Sequence, residues 1–145
     1  MIHTSDTCID VCNSLLRGEL SAVETYDQAM EKFTGSPEHS VLQAIRADHD
    51  KSVSAIRKHI MDMGAKASED SGIWGSFAKA VEGSAKLFGQ SAALSALIAG
   101  EKSGVRDYES ALGDEEVMAE IKAEIRANLL PRLQEHIIEL ERMKH

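Results

Sequence analysis

Four ionisable side chains stand where an apolar rhythm calls for leucine. The run Leu16, Glu19, Val23, Tyr26 and the run Ile98, Glu101, Val105, Tyr108 both advance by alternating steps of three and four. His49 falls between Ile45 and Val53, and His136 between Leu133 and Leu140. On a helix such steps return to one face, so these residues turn towards an interior. A buried, unpaired carboxylate costs several kcal/mol. Two facing each other repel, and one is forced towards its neutral form. A divalent cation removes both penalties, because carboxylate oxygens and imidazole nitrogens are its ligands. The chemistry expected is therefore metal coordination by Glu19, His49, Glu101 and His136. Tyr26 and Tyr108 lie seven residues beyond each glutamate, two turns along the same face. Each hydroxyl can hydrogen-bond a ligand carboxylate and hold it in place.

The elements that must position these residues are four long helices. The first carries Ile9, Cys12, Leu16, Val23, Met30 and Phe33, with Ser5 or Asp6 as a cap and Gly35 as its end. The second begins at the Ser36-Pro37 cap, carries Leu42, Ile45, Val53, Ile56, Ile60 and Met63, and closes at Gly64. The third carries Leu94, Ile98, Val105 and Leu112 and stops at Gly113. Asp114 is placed to cap the fourth, which carries Met118, Ile121, Ile125, Leu129, Leu133, Leu140 and Met143. Pro131 should kink or break that helix. The links near 33–37 and 112–114 are short, so each pair must be an antiparallel hairpin. The middle link, 65–88, is long enough to run the length of a bundle. Within it Trp74, Phe77, Val81, Ala85 and Phe88 recur at helical spacing, as a short segment packed on the bundle with Trp74 as a core anchor. The fold expected is all-α: an antiparallel four-helix bundle of two hairpins joined by a long crossover, as a single domain over 1–145.

A repeat supports the two-hairpin reading. GELSAVETYDQAM at 18–30 matches GEKSGVRDYESAL at 100–112, sharing Gly, Glu, Ser, Val, Tyr and Ala. An acid–His pair follows in each half, Asp48-His49 and Glu135-His136. With Glu-x6-Tyr in helices one and three, the chain resembles the ferritin-like superfamily of ferritins, bacterioferritins and rubrerythrins. The GE-x-S…Y pattern and the WGxFAKxxEG crossover look like bacterial ferritin-like families that are domains of unknown function. The resemblance covers nearly the whole chain. It implies a core iron site with Glu19 and Glu101 as terminal carboxylates and His49 and His136 as histidine ligands. It also implies a role in iron handling or the stress response.

The chain departs from that pattern in one respect. The family motif is Glu-x-x-His in helices two and four, its Glu bridging two irons. Here the segments read Arg46-Ala47-Asp48-His49 and Leu133-Gln134-Glu135-His136. Asp48 and Glu135 lie about 100° around the helix from the face in question, so they do not directly replace a bridge. Register adds a second point. In a straight hairpin Glu101 and His136 stand about 15 Å apart along the axis, and Glu19 and His49 about 6 Å. Two functions stay open. One is a bundle holding iron or another divalent metal. The other is a metal-free structural or interaction bundle, working as a homodimer, in which Arg46 pairs with Glu19 or Glu101 where iron would sit.

Composition narrows the rest. The formal net charge of −8 argues against nucleic acid and against anionic membrane surfaces as partners. No apolar run reaches the roughly 20 residues of a membrane span, and MIHTSDTCIDVC lacks a signal-peptide pattern, so the cytoplasm is expected. Cys8 and Cys12 share a helical face and are read as a free thiol near the helix start and a small core residue. Glu24 and His59 are read as surface and stripe edge, and His3, His39 and His145 as solvated ends. No phosphate loop, nucleophile elbow or zinc-type cysteine pair is present. No substrate pocket can be read, so no enzyme activity is assigned.

Overall fold

The computed structural model describes residues 6–70 and 89–144. The segment carrying Trp74, Phe77, Val81, Ala85 and Phe88, the Ser5 cap position, His3 and His145 lie outside the described residues. Among the described residues every regular element is helical. The order is α1 (Asp6–Met30), a 3-10 turn (Glu31–Phe33), α2 (Glu38–Asp62) and α3 (Gly89–Leu112). A fourth rod follows, made of α4 (Ala119–Glu124), a π-helical turn (Ile125–Leu129) and α5 (Leu130–Met143). Four rods around one interior are compatible with a four-helix bundle. None of the described helices is long and apolar enough to cross a membrane.

The ends follow local chemistry. Gly35 and Gly64 take φ of 79° and 78°, the left-handed conformation that glycine adopts without strain. Before Gly35 the chain tightens through the 3-10 turn, which buries Phe33. Pro37 has helical angles and precedes the first residue of α2, and the Ser36 hydroxyl accepts the Glu38 N–H at 3.3 Å. Asp114 does not cap the fourth rod. Its Oδ1 accepts the Glu116 N–H at 2.8 Å inside the 113–118 turn, and the rod starts at Ala119. Pro131 neither breaks nor ends the rod. The wider turn just before it, in which the Leu130 N–H reaches back to the Ile125 carbonyl, accommodates its ring and missing donor.

Two apolar clusters fill the interior. One gathers Cys8, Cys12 and Leu16 from α1, Val53, Ile56 and Ile60 from α2, Tyr108 and Ala111 from α3, and Ile121, Ile125, Leu129 and Leu133 from the fourth rod. The other gathers Ala22, Tyr26, Ala29, Leu42, Ile45, Leu94, Leu97, Ile98 and Leu140. On every rod the two clusters are separated by one of the four ionisable residues. Glu19, His49, Glu101 and His136 thus form a polar layer between two apolar slabs, and all four are buried. Neither cysteine is in a disulfide and both are buried; Cys8 is a core residue rather than an accessible thiol, its Sγ 3.9 Å from Met63 Sδ. Burial, with Cys8 beside it, pushes the Cys12 thiol up to about 12, so it stays protonated.

Candidate metal centre

His49 is the middle of the layer. It projects from α2 between the two glutamates, with Nδ1 2.7 Å from Glu19 Oε1 and Nε2 2.8 Å from Glu101 Oε2. An imidazole with a carboxylate at each nitrogen donates from both only when protonated. Burial alone drives such a cation towards its neutral form, but Glu101 and Glu19 outweigh it and hold His49 well above its ordinary value. Reciprocally, burial would raise Glu101, and the charge of His49 with hydrogen bonds from His136 and His49 pulls it down to about 2.

The tyrosines act crosswise. Tyr26 of α1 donates to Glu101 Oε2 at 2.6 Å, and Tyr108 of α3 donates to Glu19 Oε2 at 3.2 Å. The repeat therefore builds a reciprocal lock in which each copy supplies the clamp for the other copy's carboxylate. Burial and the adjoining carboxylates, Glu101 for Tyr26 and Glu19 for Tyr108, keep both phenols neutral.

His136 completes the layer from α5. Its Nδ1 lies 3.2 Å from Glu101 Oε1, and its Nε2 2.9 Å from Asp48 Oδ2. The straight-hairpin offset of Glu101 and His136 is thus corrected. The fourth rod begins at Ala119, and its π turn takes up an extra residue, which draws His136 level with Glu101. Asp48 is the residue that spacing arguments undervalued. It does not bridge carboxylates, but from α2 it reaches His136 across the bundle. The signal was its place beside His49: a neighbour about 100° round the helix lies at the edge of the buried face, and Asp48 is there within reach of the adjoining rod.

Arg46 is also corrected. Its Nε and Nη2 contact Asp27 at 2.5 and 3.3 Å, and its Nη1 contacts Asp50 at 2.7 Å. Arg46 lies on the outer face of α2 near solvent and neutralises neither Glu19 nor Glu101; the hydrated surface offers the guanidinium two carboxylates without desolvation. His49 performs the neutralising role instead. Glu24 and Glu135 are exposed, while His59 lies at the edge of the stripe 3.5 Å from Glu124.

His49, Glu101 and His136 each offer one ligand atom within 4.8 Å of the others. Two imidazoles and a carboxylate are a fitting donor set for a divalent transition metal. Glu19 stands outside this group, on the Nδ1 edge of His49. The remaining polar atoms are satisfied: among the described residues no buried side-chain nitrogen or oxygen lacks a hydrogen-bond partner. The layer can therefore exist with a proton on His49 or with a cation in its place.

No curated protein and no solved structure matches the chain. A family model, Domain of unknown function (DUF2383), matches residues 7–114. The match spans Glu19, Tyr26, His49, Glu101 and Tyr108 but stops before the rod that supplies His136. The chain belongs to this family of domains of unknown function (DUF2383).

Proposed function

We propose that the chain is a ferritin-like antiparallel bundle that binds one divalent transition metal, iron among them, through His49 Nε2, Glu101 and His136 Nδ1. The observation that carries this reading is the convergence of those three donors, from three different rods, on one buried point. Two histidines and one carboxylate form the donor set of mononuclear ferrous sites that keep open positions. The bridging carboxylates of a two-iron centre have no counterpart here, which favours one ion over two. Asp48 supports the reading: it accepts from His136 Nε2 and so leaves Nδ1 facing the centre. Glu19 does the same for His49 through Nδ1. Binding would displace the Nε2 proton of His49, so affinity should rise with pH. Opposed rods are supported by the crossed pairs Tyr26–Glu101 and Tyr108–Glu19, in which advance along α1 accompanies retreat along α3. The layer belongs to a single domain over 1–145, with iron handling or stress protection as its setting.

Anaerobic titration with Fe(II), followed by elemental analysis after gel filtration, tests the reading. About one metal per chain is expected, lost in His136→Ala. Less than about 0.1 per chain, at concentrations where such donor sets saturate, would sink it.

A second reading is favoured by the complete hydrogen bonding of the layer without an ion. The Glu19–His49–Glu101 chain would then be a proton-bridged structural core. Chelator-treated protein as stable as metal-supplemented protein would support this reading against the first, because a ligand that binds only the folded state must raise its stability.

A further inference from the structure

A second group of donor atoms lies on α1 away from the polar layer. Cys12 precedes Glu19 by two turns, about 10 Å along the helix axis. Cys8 stands one turn earlier on the same face, and both cysteines are buried. The Cys12 thiol is hydrogen-bonded with that of Cys8. Met63, the residue that closes α2, brings its Sδ to 3.9 Å from Cys8 Sγ. Three sulfurs from two rods thus meet where α1 begins and α2 stops. Met63 is half-buried between exposed Asp62 and Gly64, so its thioether is the donor nearest solvent.

Buried cysteine can serve as a small apolar filler, but the spacing here also suits one ion. A metal–sulfur bond is about 2.3 Å, so two sulfurs held at 120° by one ion stand about 4.0 Å apart. The Cys8–Met63 separation is already close to that. Side chains one turn apart have Cβ atoms about 5–6 Å from each other, which lets both thiols turn towards a common point. The donor type then selects the ion. Zinc takes thiolate, imidazole and carboxylate. Among the described residues no imidazole or carboxylate completes a three-ligand group with these cysteines. Two thiolates and a thioether are soft donors, the set that favours Cu(I).

We propose that Cys8, Cys12 and Met63 form a binding site for one Cu(I) ion, separate from the histidine–carboxylate layer. Each thiol loses its proton to solvent as its sulfur takes the ion, so about two protons leave per Cu(I) bound. The copper remains cuprous throughout, and no electron is transferred. The inference does not depend on the metal reading of the layer.

The test uses the full chain, metal-free and with its thiols reduced, titrated anaerobically with Cu(I) held by bicinchoninate. Loss of the coloured complex reports the ion removed. About one Cu(I) per chain and about two released protons are expected. Cys12→Ala should weaken binding at least about a hundredfold. Met63→Leu conserves volume; it should weaken binding about tenfold and leave the thermal midpoint of metal-free protein within a few degrees. His136→Ala should take up Cu(I) as wild type does, which keeps this site distinguishable from the layer. Retention of the colour by wild-type protein, uptake undiminished in Cys12→Ala, or unchanged affinity in Met63→Leu would each overturn the proposal.

Discussion

Glu19 and Glu101 occupy the same place in a duplicated segment, yet their surroundings have diverged. Glu101 is fully enclosed and engages His49, His136 and Tyr26. Among the described residues Glu19 engages His49 and Tyr108, and it lines with Gly18 a small cavity of about 20 Å³. The difference teaches that duplication conserved the reciprocal tyrosine clamps, while the partners arriving from α2 and α5 broke the symmetry. One carboxylate is the anchor of the layer and the other its edge. The crossing histidine explains the inequality: α2 lends His49 to both carboxylates, whereas α5 lends His136 to one.

The most severe way to break the comparison is to remove what the two carboxylates share. His49→Leu leaves both buried without their common cation and should cost about 3–5 kcal/mol, read by urea denaturation of chelator-treated protein. A loss under about 1 kcal/mol would mean that water or another group already solvates the layer. Next comes the direct contrast. Glu101→Gln should destabilise by about 2–4 kcal/mol and Glu19→Gln by about half as much, since the second can rehydrate through the cavity. Equal losses would erase the distinction between anchor and edge.

Acidity sharpens the same contrast. The Glu101 carboxyl is depressed from 4.5 to about 2 in the folded state. Its contribution is therefore present above pH 4.5 and lost as pH falls towards 2. A shift of this size is worth on the order of 3 kcal/mol, and Glu101→Gln should flatten that limb of the stability curve. His49 is shifted the other way, so its contribution is complete below 6.5 and declines as pH rises through its raised value. The two windows overlap between pH 4.5 and 6.5, where metal-free protein should be most stable. Calorimetric midpoints in chelator across pH 2–10 check both limbs. The smallest effect belongs to Arg46→Leu, at about 0.2–1 kcal/mol, because Arg46 and its partners Asp27 and Asp50 are partly solvated. A loss of several kcal/mol there would return the neutralising role to Arg46.

Much of the rod pattern was legible because buried stripes and glycine stops are local. Leu42, Ile45, Val53, Ile56 and Ile60 are all core residues, and Gly35 and Gly64 both end helices in the left-handed conformation. The inward turn of Glu19, His49, Glu101 and His136 was legible for the same reason. What escaped was long-range. Whether Arg46 points inward or outward depends on Asp27, nineteen residues away in sequence and on another rod. The link between Asp48 and His136 joins residues 88 apart. The level of His136 depended on where the fourth rod begins, and Asp114 offered a cap that the 113–118 turn used for itself. One cue to the π turn was present: buried positions Ile121, Ile125, Leu129 and Leu133 advance by fours without a three, the spacing a wider turn accepts.

That wider turn acts as a slack link in front of α5. A residue lost within Ile125–Leu129 would close it to ordinary α-helix and leave α5 in register, whereas one lost between Leu130 and Glu135 would rotate the chain beyond it by about 100° and draw it back by about 1.5 Å. In the second case His136 would swing out of the layer. The centre is thus more vulnerable to a single-codon deletion at the start of α5 than to one inside the wide turn. Within this rod, insertions and deletions are to be judged by the angle they impose rather than by the side chain they remove.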